Sequence, residues 1–81
     1  MSEMGDRIRQ CRIDAGLSQS EAAKLAGISQ QSISTYEKGT RIPLAPAIIA
    51  MARAYGVTTD YLLGVSDNPM IVTYIAMKEG E

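Results

Sequence analysis

Five glycines, Gly16, Gly27, Gly39, Gly56 and Gly64, divide this 81-residue chain into short runs, and each one closes a stretch of helical character. Glycine ends helices because, without a Cβ, it enters left-handed backbone at little cost. Five such stops predict five short helices joined by tight turns, and no strand-like alternation occurs before residue 70. The composition suits that reading. Hydrophobic residues make up 46% and charged residues 21%, the balance of a globular domain and not of a disordered chain. Alanine is frequent, Trp and Phe are absent and there are four Tyr, which favours closely packed helices over a sandwich or barrel. A single cysteine excludes an internal disulfide and a Cys-only zinc site. The lack of histidine removes His-based metal sites, catalytic triads and imidazole switches. The expectation is a protein that is not an enzyme, with no metal and no cofactor.

The net charge is −1, and it is unevenly placed. Residues 1–64 carry seven Lys/Arg and six Asp/Glu, whereas residues 65–81 carry one Lys and three acids. The longest apolar stretch, residues 42–52, is broken by Pro43 and Pro46. It is far shorter than the ~20 residues a bilayer requires. Acids at Glu3 and Asp6 and the lack of an apolar run argue against a signal peptide. A soluble cytoplasmic protein without membrane contact is expected.

Local signals place the helices. The first spans about residues 3–15, with Met4, Ile8, Cys11 and Ala15 on one face. Ser18-Gln19-Ser20-Glu21 is a capping box that opens the second, which ends before Gly27. Ser29 caps the third, which ends near Lys38. Pro46 suits the first turn of the fourth, whose inner face holds Ile48, Met51, Ala52 and Tyr55. Thr58 caps a short fifth helix, with Asp60 in its first turn. Residues 1–64 thus form one domain, and residues 65–81 are a linker and apolar tail. The sequence of residues 70–77, MIVTYIAM, reads as a strand by propensity or as a helix opened by Asn68 and Pro69; its β-branched content favours the strand.

The second and third helices are separated only by Gly27-Ile28-Ser29, an αα corner. Ala23 supplies the small residue that such a crossing needs, Gly27 the positive φ and Ile33 the apolar anchor facing back. Ala22, Ala26, Ile28 and Tyr36 fill other inward positions. The third helix is left with a polar face of Gln30, Gln31, Ser34, Thr35 and Lys38. A glutamine amide pairs bidentately with adenine N6 and N7 in the major groove. Two glutamines opening an outward-pointing helix are what a base-reading helix requires. The plain alternative is a solvated polar face; the capping box, Ala23, Gly27 and Ile33 weigh against it.

With these residues in place the chain resembles the XRE and lambda-repressor-like helix-turn-helix domains. The resemblance runs over residues 4–64. It rests on Arg7-Ile8-Arg9, Leu17-Ser18-Gln19, Ala23, Gly27 through Ser34, Tyr36-Glu37-Lys38-Gly39, Pro43, Gly56-Val57 and Asp60-Tyr61-Leu62-Leu63. It implies an all-α fold of five helices that binds a double-stranded DNA operator as a homodimer, with the third helix in the major groove. It assigns base reading to Gln30, Gln31, Ser34 and Thr35, and backbone contacts to Ser18, Gln19, Lys38, Thr40 and Arg41. A helix N-terminus attracts phosphate, so a low net charge does not forbid binding. Arg12 and Glu37 stand where phage repressors of the family hold a buried ion pair; the alternative is two separate surface charges. Ala22 and Cys11 stand where relatives often carry leucine, which thins the core. Arg7 and Arg9 flank Ile8 as solvated charges or distant phosphate contacts.

The leading expectation is a DNA-binding transcriptional regulator of the phage or prophage repressor type, located in the cytoplasm with the nucleoid. The alternative is an XRE-type antitoxin or interaction module whose tail binds a partner protein. The tail separates the two. Met70, Ile71, Val72, Tyr74, Ile75 and Met77 either pair with a second copy, as a dimerising β-strand, or await another protein.

Overall fold

Side-chain caps fix where the helices begin. Ser18 Oγ accepts from the Glu21 N–H at 3.1 Å, and Glu21 Oε1 accepts from the Ser18 N–H at 2.9 Å, so the capping box is closed at both bonds. Ser29 Oγ accepts from the Ser32 N–H and Thr58 Oγ1 from the Tyr61 N–H, each at 3.0 Å. The five glycines hold φ between +71° and +81°, the left-handed conformation expected of them.

The computed structural model describes residues 3–68. They form α1 (Glu3–Asp14), α2 (Gln19–Ala26), α3 (Gln30–Lys38), α4 (Ala45–Tyr55) and α5 (Thr59–Leu62). No strand occurs among the described residues. The fold is all-α, with five helices as expected. The strand and dimerisation expectations for residues 70–77 lie outside the described residues. None of the helices is long and apolar enough to cross a membrane.

The core draws one large side chain from each of four helices. Ile8 of α1, Ile33 of α3, Met51 of α4 and Leu62 of α5 are fully buried. Each such burial contributes roughly 1.5–3 kcal/mol. α2 contributes Ala22 and Ala23, small residues that let it lie against both α3 and α4. Cys11, Tyr36, Ala52 and Tyr55 complete the centre, and α1 packs chiefly on α3. α1 and α3 approach closely at Gly5. A Cβ built there would sit 2.5 Å from the Glu37 carbonyl oxygen and 2.8 Å from that of Tyr36.

Two inward assignments are corrected. Ala15 is exposed, because α1 ends at Asp14 and the chain is already turning toward Gly16. Ala26 is half-buried and outside the core cluster, and Ile28, though only half-buried, packs against the core as the inward reading expects.

Candidate nucleic-acid interface

α3 is short and carries its polar residues outward because Ile33, Tyr36 and Glu37 hold its other side in the protein. Gln30 and Gln31 are its first two residues, and both are exposed. Ser29 caps them from outside the helix and also donates its hydroxyl to Ser32 Oγ at 2.8 Å, which fixes the first turn. Gln30, Ser34 and Lys38 recur every fourth residue and so follow one stripe along the helix. Ser34 is half-buried and Lys38 exposed. The next stripe holds Gln31 and Thr35. The Thr35 hydroxyl donates to the Ser32 carbonyl at 2.9 Å, which leaves its oxygen able only to accept.

The residues assigned to the DNA backbone divide into two kinds. Lys38 and Arg41 are exposed cations, and Arg41 lies over the Tyr36 ring with its guanidinium carbon 5.9 Å from the centroid. That places it at the outer limit of a cation–π contact. Ser18, Gln19 and Thr40 instead have structural bonds. Ser18 closes the capping box. Thr40 donates its hydroxyl to the Thr35 carbonyl at 3.1 Å, adding to the backbone N–H bonds that already close the end of α3 there. Gln19 Nε2 donates to Glu37 Oε1 at 3.1 Å.

Arg12 and Glu37 form the buried pair, not two surface charges. Arg12 Nε donates to Glu37 Oε2 at 2.7 Å and Nη2 to Oε1 at 3.0 Å, with the side chains 11% and 4% exposed. Arg12 Nη1 also donates to the Leu17 carbonyl at 2.8 Å. These bonds raise the pKa of Arg12, chiefly through the hydrogen bonds to Glu37. Tyr55 lies near the same pair. Burial, and then the Glu37 charge, push its phenol up to about 12. Its hydroxyl is buried without a hydrogen-bond partner among the described residues. Burial likewise raises the Cys11 thiol, which makes it a packed core residue and a poor nucleophile.

Two features escaped the sequence reading. Gly5 is a helix contact, signalled only by a glycine inside an otherwise helical run. Arg7 is half-buried, with its guanidinium carbon 4.8 Å from the Tyr61 ring centroid, so it also ties α1 to α5. Arg9 is exposed.

Comparison with known proteins places this geometry. A sequence model of the helix-turn-helix family HTH_3 matches residues 8–62. The chain is similar to the HTH-type transcriptional regulator ImmR of Bacillus subtilis, 38% identical over 61 residues, covering 75% of this chain and 48% of ImmR. It is also similar to the SPbeta prophage-derived uncharacterized HTH-type transcriptional regulator YonR of the same organism. That match is 36% identical over 59 residues and covers 73% of this chain and 55% of YonR. The chain thus spans about half the length of these curated relatives. Among solved structures, the P22 c2 repressor protein in complex with synthetic operator 9T in the presence of Tl+ superposes with a TM-score of 0.73 at 30% identity. The match covers 82% of this chain and all of that one.

Proposed function

The chain belongs to the helix-turn-helix family HTH_3, and from that premise we propose that it is a sequence-specific double-stranded DNA-binding transcriptional regulator. In this reading it is a repressor of the phage or prophage type that binds a palindromic operator as a homodimer. The observation that carries the proposal is the outward start of α3, where Gln30 and Gln31 stand exposed on a turn fixed by the Ser29 cap. Two adjacent amides on a rigid helix end supply the paired donors and acceptors that adenine presents in the major groove. The N-terminus of α2 and the cations Lys38 and Arg41 supply the backbone contacts. The similarity to a repressor solved on its operator supports the same reading. A partner of this kind puts the protein in the cytoplasm, at the nucleoid. The apolar residues Met70, Ile71, Val72, Tyr74, Ile75 and Met77 are the proposed dimer contact. A twofold axis there calls for half-sites about one helical turn apart, roughly 10–10.5 bp, or a multiple of it.

The test is fluorescence anisotropy on a duplex recovered by in vitro selection, against a scrambled duplex, at about 100 mM salt. A preference of roughly a thousandfold is expected. Gln30→Ala should cost about 1–3 kcal/mol on the selected duplex and almost nothing on the scrambled one. An equal loss on both would remove Gln30 from base reading.

A further inference from the structure

Gln19 belongs to two places at once. It is the first residue of α2, where helical N–H groups are left open, and its side-chain amide is bonded to Glu37 of α3 at 3.1 Å. Glu37 is in turn gripped by Arg12 of α1 through bonds of 2.7 and 3.0 Å. The remaining Arg12 bond, 2.8 Å to the Leu17 carbonyl, holds the segment that leads into α2. One buried carboxylate therefore joins the starting end of α2 to the last turn of α3. A buried ion pair is an indifferent source of stability, since apolar packing of the same volume often does as well. What directional bonds supply is position, where apolar contacts leave two helices free to slide. From this geometry we infer that Glu37 is a positioning residue for DNA recognition. It acts through Gln19 to hold the backbone-contacting start of α2 at a fixed place relative to the base-reading helix α3.

The chemistry at Gln19 makes the relay specific. A carboxamide nitrogen carries two hydrogens. One is spent on Glu37, and the other remains for a phosphate arriving over the α2 N-terminus. Arg12 offsets the charge of Glu37, so the carboxylate beneath does not repel that phosphate. The inference rests on the proposed contact between α2 and the DNA backbone.

A double-mutant cycle on DNA affinity tests it. Glu37→Gln keeps the shape of the side chain but leaves a single amide oxygen where two carboxylate oxygens serve Arg12 and Gln19, so the grip on Gln19 is loosened; Gln19→Ala removes the relay. The wild type, both single variants and the double variant are titrated with a selected duplex and a scrambled one, at a temperature where circular dichroism shows each to be folded. Glu37→Gln should weaken binding to the selected duplex about tenfold in the wild-type background and less than about twofold in the Gln19→Ala background. Equal losses in both backgrounds would make Glu37 merely structural and overturn the inference. A wild type that does not discriminate between duplexes would instead sink the proposed function, and this inference with it. If Glu37→Gln does not fold, wild type and Gln19→Ala are compared on selected duplexes that carry a single neutral methylphosphonate at each position in turn. One position should weaken the wild type about tenfold and leave Gln19→Ala unaffected. The absence of such a position overturns the relay.

Discussion

At Gly5 the backbones of α1 and α3 are too close for a methyl group. The Cβ of an alanine would lie 2.5 Å from one carbonyl oxygen of α3 and 2.8 Å from another, and backbone cannot swing aside as a long side chain can. Gly5→Ala improves helix propensity, yet it should destabilise the fold by about 1–3 kcal/mol, because overpacking outweighs propensity here. A thermal melt that rises or stays level would show that α1 slides away at no cost. The position was illegible in the sequence because its requirement comes from a carbonyl far along the chain, not from any turn or cap nearby. Tyr55 was half legible: its place on the inner face of α4 follows from helical spacing, but its stranded hydroxyl does not. Removing that hydroxyl forfeits no bond, so Tyr55→Phe should leave stability at neutral pH unchanged or raise it by about 1 kcal/mol. The pH dependence follows from the phenol being raised from 10.0 to about 12 in the folded state. Its contribution is intact below pH 10 and is lost as pH rises through about 12, because the unfolded phenol ionises first. Alkaline denaturation of Tyr55→Phe should lack that component; an unchanged alkaline limb would mean the phenol titrates normally.

Elements were read with less error than single contacts, since capping and glycine stops act within a few residues. The Ser18 box, the Ser29 and Thr58 caps and the left-handed glycines all stand where local chemistry required them. The sequence could not show how caps and candidate contacts share the same atoms. Ser18 and Thr40 were assigned to phosphates, yet one hydroxyl accepts the Glu21 N–H and the other donates to the Thr35 carbonyl. At α2 the cap also sets a pH dependence. Bonds from the Ser18 backbone and side chain lower the pKa of the exposed Glu21 carboxylate. A lowered folded-state pKa gives stabilisation that is present above the ordinary value of 4.5 and fades as pH falls through the lowered one. Ser18→Ala should cost about 1 kcal/mol at neutral pH through loss of the N-cap bond. It should flatten the acid side of the stability profile only in part, because the Ser18 N–H, the larger cause of the Glu21 shift, is kept. A profile parallel to that of the wild type down to pH 3 would show that Glu21 does not depend on the Ser18 hydroxyl.

For the molecule as a whole, the core and the proposed association surface are supplied by different stretches of chain. Among the described residues, every buried side chain of the core cluster lies between Ile8 and Leu62, and the family match covers the same residues, 8–62. The helical domain is therefore expected to fold without residues 69–81, whose apolar side chains are the proposed dimer contact. The described residues offer a rival surface: Ile42 and Leu44 are each 76% exposed beside a groove of about 440 Å³ lined also by Ile28, Tyr36 and Ala47. Exposed apolar surface of that kind is what a second copy would cover. Deleting residues 69–81 decides between the two surfaces. The shortened chain should keep its helical circular dichroism and melt within a few degrees of the full one, because every core residue among the described ones is retained. Light scattering should find the full chain a dimer and the shortened chain a monomer. Affinity for a palindromic duplex should then fall steeply, because each half-site must hold its domain without the help of the other. A shortened chain that remains dimeric would move the twofold axis to Ile42 and Leu44, and the tail would be left to bind something other than its own copy.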